Sequence, residues 1–478
     1  MIPIAEAERM LRSMRAGAVY FDALDVFKSA LPGCTTVEFV RAPGRVNIIG
    51  EHTDYNGLPV LPMALDREIV IALAPHRGPE IQLVNTDPSH PPVRFAMSDQ
   101  IPAYETGHWG NYAKAAAQAI WQYASVNCPD SAPLVGFAGC LGGSIPPGSG
   151  LSSSSALVVA VAVALVAVNR IRIGKAELAD LLAKGERYVG TEGGGMDQSV
   201  SLLAEEGSAL KIDFFPLRTR AVKLPDTCAI VAADSMVSAN KTGGARLAYN
   251  TRVAECKLGL EMLKCSAGSE FPGVENASLL RDFAEIVPQW GAALARLPSG
   301  PMSLSEIAAF VGAAEDEIAA KCLRRRDGGV LPVPEGGFYP KKRCRHVLSE
   351  GNRVEEAAAA MERGDVAVLG RLMDQSHISC ADDYEISCPE LDRLVDALRE
   401  CGALGARLTG AGFGGCAVAL VRSSDAQSLL DTVWNSCYLG YWAKHRTEPP
   451  AHRDDVLFVC SPASGAGPRF SNRLGPGC

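Results

Sequence analysis

Residues 5–30 alternate apolar and charged positions at helical spacing and stop near Pro32-Gly33, which predicts an opening helical segment. Val37–Val40 then predicts a short strand running into Arg41-Ala42-Pro43-Gly44. Val60–Pro75 and Glu80–Val84 have strand character, so the first part of the chain is mixed α and β. Ser154–Asn169 has the length and Ala/Val/Leu content of a helix buried on every side. Its β-branched residues are poor helix formers, so this prediction rests on the glycine-rich turn and the serine run that precede it. A second helix is predicted from Lys175 to Val189, ending at Gly190. Cys228–Ala233 reads as a buried strand, 245–265 and much of 345–402 as helices, 324–345 as a surface loop, and 406–421 as strand, glycine turn and strand. The class is α+β with two lobes, 1–225 and 226–460, and a cleft between them as the natural ligand site. Residues 461–478, rich in Gly, Pro and Ser, are expected to form a disordered tail.

Composition narrows the function classes. A length of 478 residues favours two domains with large cores. The net charge of −8 offers no broad attraction to nucleic acid or to an anionic membrane, while leaving room for a local basic pocket. The most lipid-like run, Ala156–Val168, spans 13 residues, and a membrane-spanning helix needs about 20. Charged residues at Glu6, Glu8, Arg9, Arg12 and Arg15 leave no signal-peptide core. The 15 cysteines form no C-x-x-C pair and are scattered through apolar stretches, so reduced thiols in the cytoplasm are expected. No nucleic-acid or membrane partner is expected, and a monomer is favoured.

Chemistry concentrates in a few segments. In Pro146-Pro147-Gly148-Ser149-Gly150-Leu151-Ser152-Ser153-Ser154-Ser155, glycines let backbone N–H groups curl around an anion and hydroxyls add donors. A helix starting immediately afterwards aims its positive end at the same point, which describes a phosphate cradle. It is no Walker loop, because no G-x-x-x-x-G-K-[ST] occurs. A Ser/Gly linker would not feed a long apolar run, and a plain N-cap needs one serine, not four. The cluster Gly410-Ala411-Gly412-Phe413-Gly414-Gly415 precedes a strand-like stretch instead of a helix, which argues against a dinucleotide fingerprint. It predicts a tight hairpin, with close backbone approach to a ligand as its functional reading. Between residues 41 and 55 a polar string holds Arg45, Asn47, Glu51, His52, Thr53, Asp54 and Tyr55, interrupted by core-type Ile48 and Ile49. Carboxylates hold vicinal hydroxyls well, so a hydroxylated substrate is expected. Asp197, among Gly193, Gly194 and Gly195, suits either a turn or a positioned acid or base.

Taken together, these segments resemble the GHMP kinase superfamily, and within it the galactokinases. The resemblance lies in Gly44-Arg45-Val46-Asn47-Ile48-Ile49-Gly50-Glu51-His52-Thr53-Asp54-Tyr55, Gly150-Leu151-Ser152-Ser153-Ser154 and Leu408-Thr409-Gly410-Ala411-Gly412-Phe413-Gly414-Gly415. It implies a two-lobed GHMP kinase fold with the active site in the cleft, using ATP and Mg2+ to phosphorylate the anomeric hydroxyl of galactose. By the same resemblance Asp197 is the catalytic aspartate and Arg45 its partner. Glu51, His52, Asp54, Gly194 and Tyr249 match sugar contacts. Gly148, Ser149, Gly150, Leu151, Ser152, Ser153, Ser154 and Ser155 match the ATP loop, and Ser153 and Glu186 the magnesium ligands. Three further segments, 192–199, 235–241 and 374–380, resemble the branch that includes N-acetylgalactosamine kinase and plant and fungal galactokinases. That sugar, or a non-catalytic galactose and ATP sensor, is the alternative; galactose is favoured. The whole reading requires Asp197 beside Arg45, with the serine turn facing both.

Overall fold

In the computed structural model, residues 1–14, 17–128, 133–185, 188, 193–238, 244–325, 329–442, 450 and 452–470 are described. Thirteen strands occur among them: β1 (Ile2–Pro3), β2 (Thr36–Ile49), β3 (Leu61–Pro75), β4 (Glu80–Asn85), β5 (Val93–Ala96), β6 (Phe137–Gly143), β7 (Ser208–Asp213), β8 (Arg218–Lys223), β9 (Cys228–Asp234), β10 (Gly405–Leu408), β11 (Cys416–Arg422), β12 (Leu457–Cys460) and β13 (Gly467–Pro468). The first sheet runs β1-β2-β3-β6-β4-β5, with β13 also on β2, and is antiparallel except for the β4–β6 pair. The second sheet, β10-β11-β9-β12, is antiparallel throughout. β7 and β8 form a hairpin, joined to the chain just before β3 by a bridge between Val60 and Ile212.

The strand expected to end at Val40 continues to Ile49, straight through the polar string. Two register shifts against β3, between Pro43 and Arg45 and between Asn47 and Ile49, let it carry a proline and polar side chains. Both shifts fall in the part of the strand that carries Arg45 and Asn47. The helix Ser153–Asn169 is buried from Ser155 to Val166 and packs on β2, β3 and the helix Gly110–Asn127. Burial on all sides explains its unbroken apolar composition and overrides the weak helix propensity of its valines. The core that it anchors also takes in Cys228, Ile230 and Ala232 of β9 and Val418 and Leu420 of β11. The other face of the second sheet, with Val231, Ala233, Ala417 and Ala419, packs into a separate core of helices between 254 and 442. The expected surface loop at 324–345 is cut short at Pro340, where the helix Pro340–Glu362 begins with proline in its first turn.

The expected disorder of the tail does not hold for 461–470; residues 471–478 lie outside those described. After β12 the chain leaves the second sheet and crosses to the first. Ala463 N–H donates to Ala64 O (3.0 Å), Gly465 N–H to Ala204 O (2.8 Å), Ala466 N–H to Ser201 O (2.7 Å) and Arg469 N–H to Phe39 O (2.7 Å). Arg41, paired with Glu68, donates to the carbonyls of Ser464 and Gly465. A Cβ on Gly465 would stand 2.3 Å from Leu202 O, so the small residues that suggested disorder permit close docking. No helix among the described residues is long and apolar enough to cross a membrane.

Candidate active site

Arg45 lies on β2 and is almost wholly buried, while Asp197 sits in the first turn of the helix Met196–Leu203. They meet through two parallel hydrogen bonds, Nε to Oδ1 at 2.8 Å and Nη2 to Oδ2 at 2.9 Å. This bidentate geometry locks both planar groups. The third arm of the guanidinium, Nη1, donates to Gly150 O in the serine loop. Ser152 Oγ donates to Asp197 Oδ2. Acid, base-pairing cation and serine turn therefore share one crevice.

The loop takes its shape from its own backbone. Gly148, Gly150 and Ser152 have φ of 71°, 75° and 67°, which turns the chain before the helix Ser153–Asn169 begins. A serine held in that region at a helix start is a feature of tight functional loops. Of the eight loop residues, Ser149, Leu151, Ser152 and Ser155 are buried. Ser149 Oγ donates to Pro146 O (2.7 Å), and Leu151 O accepts from Arg45 N–H (3.1 Å). Gly148, Gly150, Ser153 and Ser154 face outward with the helix N-terminus, where an anion would be held. The hairpin 410–415 approaches this loop, with Cys416 N–H donating to Ser149 O (2.9 Å), and its Gly410 and Ala411 also reach the pocket beside Asp197.

The expected sugar-contacting residues line one pocket. Arg45, Glu51, His52, Asp54, Tyr55, Gly194, Asp197, Tyr249, Gly410 and Ala411 are among its walls. Asp54 Oδ2 accepts from Gly194 N–H (3.1 Å), and a side chain at Gly194 would collide with Tyr55 N at 2.4 Å and Asp54 Cγ at 2.5 Å. Burial, with the nearby Asp197 charge, pushes the Asp54 carboxyl up to about 6 against the pull of the N–H groups of Tyr55, Met196 and Gly194. The ionised form accepts from hydroxyls at both oxygens and more strongly than the protonated acid, one of whose oxygens turns donor. Its raised pKa means the proton returns as pH falls through about 6, so kcat/KM for the sugar should drop about tenfold at about pH 5, and the pH profile of kcat/KM reads this directly. A profile flat to about pH 5 would rule Asp54 out as an ionised acceptor.

Glu51 plays a second part. Its Oε1 accepts from Arg407 Nη1 (3.1 Å) and Gly410 N–H (2.8 Å), and its Oε2 from Asn47 Nδ2 (3.0 Å). Thr409 Oγ1 accepts from Asn47 N–H (2.8 Å). The polar string is thereby stitched to β10 and the glycine hairpin. Glu350 stands behind, accepting from Gly50 N–H (2.9 Å), Ser376 Oγ and Arg353 Nε (2.6 Å). Arg407 and Glu350 were not anticipated. A lone arginine in the apolar run Ala406-Arg407-Leu408 was the available signal. Glu186, the other expected magnesium ligand, lies outside the described residues.

Family models match in three places: a galactokinase galactose-binding signature over 26–75, a GHMP kinases N terminal domain over 111–205 and a GHMP kinases C terminal over 357–438. A galactokinase of Dictyostelium discoideum is 31% identical, the match covering 94% of this chain and 93% of that protein. One from Roseiflexus sp. is 34% identical over 91% and 93%. This chain belongs to the galactokinase family. The crystal structure of Lactococcus lactis galactokinase complexed with galactose aligns with a TM-score of 0.70 at 27% identity, covering 92% of this chain and 97% of that one. A mevalonate kinase structure at 18% identity and a TM-score of 0.52 shares the fold.

Within this galactokinase-family chain, the segment 374–380 has a structural task. Asp374 accepts from Arg399 Nε (2.7 Å) and Ala406 N–H (2.9 Å), pinning the start of β10. Ser376 accepts from Arg407 Nε (3.0 Å), and Cys380 Sγ lies 3.5 Å from Arg407 Nη2. Those residues support the network behind Glu51 and do not line the sugar pocket. Residues 239–241 and 192 of the other two segments lie outside those described.

Proposed function

We propose that this chain transfers the γ-phosphate of ATP to the anomeric hydroxyl of galactose, giving galactose 1-phosphate and ADP. The observation that carries the reading is the Arg45–Asp197 pair, set between a pocket walled by Glu51, His52, Asp54 and Tyr249 and the outward face of a phosphate loop. The galactose-binding signature over 26–75 and the galactose complex of the L. lactis relative support the choice of sugar.

Each residue then has a task. Glu51, His52, Asp54, Gly194 and Tyr249 hold the sugar so that its anomeric oxygen faces Asp197. The hydroxyl O–H breaks as Asp197 accepts the proton, a P–O bond forms to the γ-phosphorus, and the bond to the ADP oxygen breaks. Arg45 holds Asp197 in orientation and stabilises charge on the transferring group. Ser153, Ser154 and the N–H groups of the helix start hold the phosphates in line. The oxygen donor at Ser153 and the carboxylate of Glu186 suit a hard cation, and magnesium on a nucleotide needs only one or two protein ligands. Held by those two residues, magnesium would supply positive charge to offset that of the phosphates.

The lobe division near residue 225 puts the acceptor motif and phosphate loop on one lobe and the glycine hairpin on the other. One chain supplies every group named, which supports a working monomer. The fourteen described cysteines are free thiols, which supports a reducing, cytoplasmic setting. A coupled ADP-release assay tests the proposal. ATP- and galactose-dependent ADP formation is expected, with kcat/KM for galactose above that for N-acetylgalactosamine. The reverse order would reassign the sugar, and no ADP release with either would leave a sensor.

A further inference from the structure

We propose that Tyr384 and Cys256, neither of which lines the sugar pocket, are positioning residues for it, anchoring a one-way hydrogen-bond chain that holds His52 as its neutral Nε2–H tautomer. The inference rests on the sugar-pocket reading above. His52 Nε2 lies 3.2 Å from Ala411 O. A carbonyl can only accept, so Nε2 carries a proton. In the neutral ring Nδ1 is then bare and must accept, and the group 2.8 Å from it is the Tyr55 hydroxyl. With its proton committed to His52, the Tyr55 oxygen accepts from Tyr384 OH at 2.7 Å. The Tyr384 oxygen in turn faces Cys256 Sγ at 3.2 Å, which donates its S–H. One carbonyl thus sets the direction of four contacts.

Burial works against a charged ring. His52 is 5% exposed, and the rings of Tyr55, Tyr249 and Tyr384 stand 5.8, 5.2 and 4.8 Å from its own. Burial pushes the Cys256 thiol up to about 12 and holds the Tyr55 and Tyr384 phenols well above their usual range, so every donor keeps its proton at neutral pH. The chain also crosses a boundary. His52 and Tyr55 face the sugar pocket, whereas Tyr55 and Cys256 line a neighbouring cavity of about 490 Å³ that contains neither Arg45 nor Asp197. Tyr55, with Gly193 and Gly194, lines both spaces, and the string of side chains that passes through it ties the first-lobe motif to the helix Gly244–Ala267, to the turn at Cys380–Tyr384 and to the glycine hairpin. Both ring nitrogens of His52 are engaged in that string, so His52 acts on the sugar through its position.

The test combines kinetics with a spectroscopic readout that does not depend on turnover. Tyr384→Phe keeps the ring and removes the link. We expect its KM for galactose to rise about three- to tenfold, the value of one hydrogen bond, with kcat and KM for ATP within about twofold. Cys256→Ala should raise KM for galactose in the same direction, and Cys256→Ser, which restores a donor, should return it to the wild-type value. In wild-type protein with 15N-labelled imidazoles, NMR should show His52 protonated at Nε2 and bare at Nδ1, and Tyr384→Phe should disturb that signal. A wild-type KM for galactose in Tyr384→Phe, or equal values for the Ala and Ser variants, would overturn the proposal. So would a doubly protonated or Nδ1–H ring in the wild type, which reverses the chain. If the protein phosphorylates neither sugar, the NMR result still decides the hydrogen-bond direction.

Discussion

Replacing Asp197 by asparagine is expected to lower kcat by about three orders of magnitude while ATP affinity stays within about threefold. The amide matches the carboxylate in shape, so the fold and the loop contacts survive. It cannot take up a proton, and general-base contributions run to about 10²–10⁴-fold. The change also breaks the paired geometry at Arg45, because Nε and Nη2 each donate to a carboxylate oxygen and one of those becomes an NH2 group. The groups proposed to hold the phosphates, at Gly148, Ser153 and Ser154, are untouched, which is why nucleotide binding should persist. Steady-state kinetics with isothermal titration of ATP separates the two effects. A kcat within about tenfold of wild type would remove Asp197 from the reaction.

The second large effect concerns stability. Arg407 is fully buried, donates to Glu51 and to Asn47 O, and lies 4.0 Å from Glu350. Arg407→Met should cost about 3–5 kcal/mol, because it leaves buried carboxylate charge without its partner. Glu350 keeps Arg353 as a partner, so the damage centres on Glu51. Adding Glu51→Gln to Arg407→Met should restore a good part of the loss, since an amide tolerates burial better than an orphaned charge. Denaturant unfolding of the two variants measures this. A single variant within about 1 kcal/mol of wild type would show that the pair does not hold the lobes together.

Much of the site was legible because its chemistry is local. Glycines and serines before an apolar helix announce a tight turn into a helix start, and Ser153–Asn169 forms within a residue of its expected start. What escaped was non-local. β2 was cut short at Val40 because Arg45 and Asn47 read as loop residues. In the fold the Arg45 guanidinium pairs with Asp197 and the Asn47 N–H donates to Thr409, each over 150 positions away. The same holds for Arg407, whose partners at Glu51 and Ser376 come from other elements. The tail misled for the opposite reason. Small residues signal freedom in isolation, but here they permit backbone contact with the helix that carries Asp197.

That tail changes what motion the molecule can make. The chain passes between the sheets once before β9 and again between β12 and β13. The two crossings run side by side: Cys460 at the end of β12 pairs with Ile230 near the start of β9, and Gly207 accepts from Leu224 N–H while donating to Pro462 O. A doubled cord along one edge acts as a single pivot that resists twisting, so substrate entry should proceed by parting of the halves about that seam.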